Sequence, residues 1–323
     1  MRACCDRIML GVGSSSPGIE LSEYTSALAR AGERILQGSS GTFWQMVEMR
    51  SLMRRPDFCL DVPSADEVRR VLWKARSPVA TYIRFPDDQH PQNAWLYVCR
   101  DQGYGLANLG ANVRRDIRRA LRAFRIEFID HSTLLKHGAE CYCETRARAG
   151  LSDGTYGHFT QMYEGFGRNS AHQVLGAWAG DTLAAYMTLT VVDDWVDIYA
   201  YAANEHLNGC PNNGLIHFAL DYFLVQQRFR LVNYGLSSIQ EVSKAQGLHA
   251  FKKKVGFECV PVHRAFVFHP VLRPLANSLT LHGLRFCRRL RPGSPFLRRA
   301  AGMLATYLGH NPMPQDEANN KKT

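Results

Sequence analysis

The chain has 323 residues, 46% of them hydrophobic and 11% aromatic, which excludes a disordered protein and leaves room for two domains of ordinary size. No apolar run reaches the roughly 18–20 residues needed to cross a bilayer. Eight arginines and no acidic residue lie between Arg264 and His310, so most of the net charge of +10 belongs to the C-terminal stretch and the body does not read as a nucleic-acid binder.

Residues Met1 to Ser16 carry Arg2, Asp6 and Arg7 without a continuous apolar block, so no signal peptide is expected. The expected address is the cytoplasm or the inner face of the membrane. Nine cysteines, an odd number without paired spacing, argue against a disulfide framework. Cys141 and Cys143 have neither a second pair nor a histidine cluster nearby, so no metal site is expected.

In chain order, Thr42 to Arg54 reads as helical. Ser64 to Ala75 reads as a helix opened by a capping box, Ser64 with Glu67 three residues on. Val79–Phe85 and Ala94–Cys99 read as strands. Asn112 to Phe124 is an amphipathic helix with Val113, Ile117, Ala120, Leu121 and Phe124 on one face and a row of arginines elsewhere. A boundary is expected near residues 126–135, dividing the chain into 1–130, 131–269 and an extension, 270–323.

The second part is clearer. Val174–Trp178, Leu183–Val192 and Val196–Ala203, joined at Gly180-Asp181 and Asp193-Asp194, form an antiparallel meander. A loop rich in Asn, Gly and Pro leads to a helix with Leu215, Phe218, Ala219, Tyr222 and Phe223 at helical spacing. Then come a strand, Leu231–Leu236, a helix from Glu241 to Val255 closed by Gly256, and two strands, Phe257–Val262 and Arg264–Phe268. The order βββ–α–β–α–ββ implies a mixed α/β sheet with a parallel pair where a helix connects two strands.

Val271 to Arg291 forms an amphipathic helix with Leu272, Leu275, Leu279, Phe286 and Leu290 on one face, and a second helix follows from Pro295 to Leu308. The apolar face is expected to pack back on the domain; the alternative is peripheral contact with an anionic membrane through the 271–308 helices. Gln315 to Thr323 is expected to be disordered.

Three motifs in order carry a resemblance. Leu175-Gly176-Ala177-Trp178-Ala179-Gly180-Asp181 is followed by Tyr199 and Tyr201. Gly247-Leu248-His249-Ala250-Phe251-Lys252-Lys253-Lys254-Val255-Gly256-Phe257 matches a Phe-Lys-x-x-apolar-Gly ending. Upstream stand Tyr104-Gly105-Leu106 and Arg114 to Arg119, an Arg-x-x-Ile-Arg-Arg element. Across residues 40 to 268 the chain resembles the FemAB-like branch of the GNAT acyltransferases, in which two GNAT-type halves share one chain. The resemblance implies a mixed-sheet GNAT-like fold and transfer of an acyl group, foremost acetyl, to an amine of a small molecule or cell-envelope precursor. The implied co-substrate is acyl-CoA or an acyl-carrier protein, with no permanently bound cofactor.

The resemblance also implies that Lys252 stabilises developing negative charge, against the plainer reading of Lys252 to Lys254 as a solvated helix face. From the residues themselves, Asp197 is the candidate base. Tyr199 and Tyr201, two apart on a strand, would line the acceptor pocket, and Ser237, His249 and Phe251 stand near the strand–helix mouth. Gly209, Asn212, Asn213 and Gly214 precede a helix whose amides would hold an anion, yet their spacing departs from the usual pyrophosphate loop. The donor therefore stays open among acyl-CoA, acyl-carrier protein and aminoacyl-tRNA, as does a non-catalytic scaffold that binds RNA or membrane. No Gly-x-Ser-x-Gly turn, P-loop or dinucleotide fingerprint is present. The resemblance further implies that the centre of the site is a parting of two parallel strands, here Val196–Ala203 and Leu231–Leu236, whose backbone donors would face a reacting carbonyl.

Overall fold

The computed structural model describes residues 18–39, 41–151, 154–203, 209–238 and 242–310. Among the described residues, eleven strands form one sheet in the order β1-β2-β3-β4-β11-β5-β10-β9-β8-β7-β6.

Helix α1 (Leu21–Arg30) precedes three strands, β1 (Ile35–Gln37), β2 (Phe43–Met46) and β3 (Leu52–Arg55). The stretch Thr42 to Arg54 is thus an antiparallel pair and not a helix. The apolar run misleads because β2 is covered on both sides: Phe43 enters one core and Trp44 another. A strand buried on both faces shows no alternation. Met49 and Arg50, at φ of 60° and 56°, turn the chain between the two strands.

Helix α2 (Ala65–Ala75) begins as its capping box requires, with the Glu67 amide donating to Ser64 Oγ at 3.1 Å. The Glu67 carboxylate does not reach back to close the box; it accepts from Trp44 Nε1 at 2.8 Å and ties α2 to β2. Strands β4 (Val79–Arg84) and β5 (Ala94–Cys99) follow where expected. They do not pair with each other, because the last strand, β11 (Glu258–Phe268), lies between them. Residues 258–262 of β11 pair with β5, and residues 263–268 with β4. The two C-terminal strands expected from the sequence are one strand that changes partner between Val262 and His263.

Helix α3 (Ala111–Ala123) buries Val113, Ile117 and Ala120, with Phe124 just beyond it. Leu121, expected on the same face, is exposed and lies to its side. Strand β6 (Arg125–Ile129) closes the far edge, and three helices follow, α4 (His131–His137), α5 (Ala139–Arg148) and α6 (Tyr156–Tyr163). They bury Leu134, Cys141, Phe159 and Tyr163 against the meander β7 (His172–Ala179), β8 (Thr182–Val192) and β9 (Trp195–Ala203).

Helix α7 (Pro211–Leu220) runs through a π-helical turn into strand β10 (Leu231–Leu236), and α8 (Val242–Lys254) follows. At Gly256, φ is 109° and a Cβ would stand 2.9 Å from the Tyr104 ring, so the helix stop needs glycine. One core lies where α3 and α7 cover the sheet, centred on Tyr97, Ile117, Leu215 and Phe223; another holds Tyr24, Leu28, Leu96 and Trp195.

The extension forms two helices, α9 (Ser278–Leu290) and α10 (Pro295–Tyr307), packed through Leu281, Ala301, Leu304 and Ala305. The helix expected from Val271 begins only at Ser278, leaving Leu275 on a separate turn, and the face carrying Leu279, Phe286 and Leu290 does not pack on the domain. It points outward, with Leu279 83% exposed, while Leu281 and Leu284 make the contact with α10. No helix among the described residues is long and apolar enough to cross a membrane. The tail expected to be disordered lies outside the described residues.

Candidate active site

Strands β9 and β10 pair in parallel at Leu231–Trp195, Val232–Val196 and Asn233–Asp197, and the register ends there. Beyond Asn233, β10 bulges but stays with β5, meeting it again at Leu236–Leu96. Gly235, at φ 72°, supplies the left-handed residue at that irregularity. The expected parting of parallel strands is present and starts at Asp197 and Asn233.

Asn233 is fully buried. Its Nδ2 donates to Asp57 Oδ1 at 2.6 Å and to Asp197 Oδ1 at 2.8 Å, while its Oδ1 accepts from the Gly235 amide at 3.1 Å. That last bond fixes which end of the amide faces the acids. Arg55 NH1 lies 3.3 Å from Asp57 and 3.8 Å from Asp197, and Arg55 Nε donates to Gln45 at 3.2 Å. Two carboxylates, one guanidinium and one amide thus meet where the strands part.

Burial, and then the neighbouring charge of Asp57, push the Asp197 carboxyl far above the usual carboxylate range; Arg55 and Asn233 offset this only in part. Burial works against the Arg55 charge, but Asp57 and then Asp197 outweigh it and hold the guanidinium above its ordinary value. A carboxylate raised in this way suits a base that works near neutrality.

Lys252, on α8, is 4% exposed, which removes it from any solvated helix face. Its Nζ donates to the Tyr234 carbonyl at 2.9 Å and sits 4.1 Å and 4.2 Å from the ring centres of Tyr97 and Tyr234. Burial lowers its pKa to about 7, against the pull of Asp57 and Asp197. Lys253 and Lys254 are exposed, as a helix end favours. Asn233 and Tyr234 are consecutive on a strand and face opposite sides, so Lys252 approaches the opening from the side away from the carboxylates.

The other expected residues divide. His249 is buried behind Lys252, with Nδ1 2.9 Å from the Tyr97 hydroxyl, so it supports the ring under the lysine and does not stand at the mouth. Phe251 packs against the main core. Ser237 stitches β10 to β5, its amide donating to the Trp95 carbonyl at 2.7 Å and its Oγ accepting from the Trp95 amide at 3.0 Å. Tyr199 is exposed and lines the cleft; the Tyr201 side chain lies outside the described residues.

Gly209 packs on the Phe124 ring and Gly214 on Ile126 and Ala120, where Cβ atoms would come within 2.6 Å and 2.8 Å. The Asn213 amide donates to the Cys210 carbonyl at 3.0 Å, and the Asn212 side-chain oxygen is buried. None of these four residues lines the cleft at Asp197.

That cleft has two lobes. One, of about 260 Å³, is lined by Tyr24, Phe43, Asp197 and Met162; the other, of about 520 Å³, by Ser237, Arg264, Arg299 and Met303. They meet at Glu33, Gln45, Arg55, Asp57 and Tyr199. Among the described residues no His, Cys, Asp or Glu group could hold a metal ion.

Arg55, Asp57 and Asn233 were not anticipated. Reading β2 and β3 as a helix hid the Arg55-Pro56-Asp57 corner. Asn233 did leave a signal: an amide inside the apolar run Leu231-Val232-Asn233-Tyr234 must find partners in a strand buried on both faces.

No family model and no curated protein matches the sequence. Among solved structures the chain is similar to FemX, with 12% identity, covering 80% of this chain and 95% of that one at a TM-score of 0.51. It is also similar to L-PGS from Bacillus licheniformis, with 12% identity, 81% and 95% coverage and a TM-score of 0.49. The chain shares the fold of FemX, a mixed sheet covered by helices, as the order of its elements implied.

Proposed function

We propose that the protein transfers an acyl group from a thioester donor to an amine of a small molecule or cell-envelope precursor. One observation carries this: β9 and β10 part at the two residues that hold a carboxylate of raised pKa, with a buried lysine on the opposite side. Past Asp197, the edge of β9 presents main-chain groups that β10 does not pair, the kind of donors that grip a reacting carbonyl.

In this reading the amine nitrogen attacks the thioester carbonyl carbon and its proton passes to Asp197. The tetrahedral oxyanion forms between the parted strands, where the buried charge of Lys252 favours it. The C–S bond then breaks, and the thiolate leaves and takes up a proton as the thiol. The nitrogen keeps the acyl group, and no covalent enzyme intermediate is required.

The test is to supply acetyl-CoA, longer acyl-CoAs and an acyl-carrier-protein thioester with a panel of amines and follow amine-dependent thiol release. Release that disappears in Asp197→Asn supports the reading. Neither binding nor consumption of any thioester overturns it.

A second donor, an aminoacyl-tRNA, is favoured by the outer face of α3. Arg115, Arg118, Arg119 and Arg122 are exposed there, on the helix packed against α7. A row of cations beside the donor face suits a polyanion, and the helix-entry loop already spends one of its amides on Cys210. Deacylation of aminoacyl-tRNA, lost when those arginines become glutamine, would select it over a thioester.

A further inference from the structure

We propose that the lobe of about 520 Å³ is a binding site for an anionic group, phosphate or carboxylate, carried by the acceptor and held by Arg264, Arg299 and Thr81. Arg264 and Phe266 on β11 face Ile83 and Thr81 on β4, so Arg264 and Thr81 are diagonal neighbours on one face of the sheet. Both carry buried polar atoms, Arg264 Nε and Thr81 Oγ1, that have no hydrogen-bond partner. Asn93 holds the Arg264 backbone by both its groups, its Oδ1 accepting from the Arg264 amide at 2.6 Å and its Nδ2 donating to the Arg264 carbonyl at 3.1 Å. The guanidinium lies over the Phe266 ring at 5.1 Å.

Arg264 as a whole is only half-buried, but its Nε is shielded from water with no acceptor, and an unmet buried donor is costly unless a ligand supplies the acceptor. Burial also lowers the pKa of Arg264 to about 10. The two acids lining the lobe do not meet the need. Asp57 is taken by Arg55 and Asn233, and Glu33 accepts from Gln45 at 2.6 Å. Among the described residues no carboxylate reaches ion-pair distance of Arg264. Arg299 enters from α10 and brings a second guanidinium to the same lobe.

Naming the ligand as the acceptor rests on the acyl-transfer reading; the anion site does not. The test is calorimetric titration at constant ionic strength with inorganic phosphate and with malonate, using the whole chain, Arg264→Gln and Arg299→Gln. Either anion should bind the parent and weaken at least tenfold in Arg264→Gln, with Arg299→Gln as the second reading should Arg264→Gln fail to fold. Binding by Asp197→Asn, which lacks the base, separates this site from catalysis. The proposal falls if neither anion binds or if both arginine variants retain the affinity. Phosphate preference assigns a phosphorylated acceptor, and malonate preference a carboxylated one.

An independent observation carries a second inference. Leu279, Phe286 and Leu290 recur at helical spacing along one exposed face of α9, and the exposed Val271, Leu275 and Phe296 add to the apolar surface at its ends. This face sits in the stretch with eight arginines and no acid. We infer that it docks on an anionic membrane surface, apolar side down and arginines at the headgroups. A second copy would set arginine against arginine, and a nucleic acid would leave the leucine stripe unused. Since α10 packs on α9 and contributes Arg299 and Met303 to the cleft, docking would hold the second lobe close to the lipid surface.

The test is cosedimentation of the full chain with vesicles of phosphatidylcholine alone and of phosphatidylcholine with phosphatidylglycerol. Binding is expected only to the anionic vesicles, weakening with salt and lost in Leu279→Ser with Phe286→Ser. No vesicle binding at low salt, or binding unchanged in that variant, overturns the inference. So does a dimer or an RNA complex that the same variant abolishes.

Discussion

Asp57 and Asp197, far apart in the chain, share one amide hydrogen-bond donor group, Nδ2 of Asn233, at 2.6 Å and 2.8 Å. Arg55 is the cation that balances them. The arrangement makes Asn233 a control on the proton affinity of the base. Asn233→Leu keeps the volume and removes the donor. The expected cost is about 1–3 kcal/mol, from carboxylates left without their partner. It should appear as a lower urea midpoint with an unchanged slope. The acid limb of the activity profile should also move to higher pH, because the bond that favours ionised Asp197 is gone. A variant as stable and active as the parent would contradict this.

Lys252 is held by a carbonyl and two aromatic faces, and among the described residues no carboxylate forms an ion pair with it. Lys252→Met keeps the apolar stem and removes the charge. Turnover should fall by about 10²–10³, the usual effect of losing one group that stabilises an oxyanion. Stability should stay level or rise, since a buried charge replaced by a packed apolar group is often neutral or better. Lys252→Ala should likewise cut turnover far more than stability. Unchanged turnover in Lys252→Met would remove the lysine from the mechanism.

Much of this site was legible because the stretch from His172 to Phe268 has strong punctuation. The turns at Gly180 and Asp193 mark the meander, and Gly256 closes α8. The helix between β9 and β10 forces them parallel. Asp197 and Lys252 could be singled out on that frame. Arg55 and Asp57 could not, because they come from a hairpin whose apolar residues serve two cores and so show neither strand nor helix period. The helices α4 to α6 were missed for a related reason, being short and carrying their apolar residues in small groups. The outward stripe on α9 was visible in the sequence, but periodicity does not say which side of a helix meets the protein. Leu281 and Leu284 made that choice.

Gly214 separates packing from donor binding. A Cβ there would stand 2.8 Å from Ile126 Cδ1 and 3.0 Å from Ala120 Cβ, so α7 would have to move from α3. Gly214→Ala should lose about 1–3 kcal/mol through overpacking, seen as a lower Tm. The donor affinity of the folded fraction should hardly change. Lost affinity with unchanged Tm would instead assign the loop a direct hold on the donor.

The pH dependence carries two opposite signs. Activity requires ionised Asp197, whose pKa burial and Asp57 raise, so activity should fall as pH drops through that raised value. It also requires protonated Lys252, lowered by burial to about 7, so activity should fall again as pH rises through about 7. The result is a narrow bell, and Lys252→Met should lose the alkaline limb of whatever activity remains. Stability follows the same two groups by linkage. Below about 7, Lys252 is charged in both folded and unfolded chains, and the cost of its burial is fully present. As pH climbs from there towards the ordinary lysine value, the folded chain loses the proton first and stability rises. For Asp197 the cost is fully present above its raised pKa, and stability rises as pH falls through that value. Urea unfolding between about pH 7 and about pH 9 should therefore show a gain in the parent that Lys252→Met lacks. The same gain in both proteins would mean that the lysine is not the group whose proton is lost.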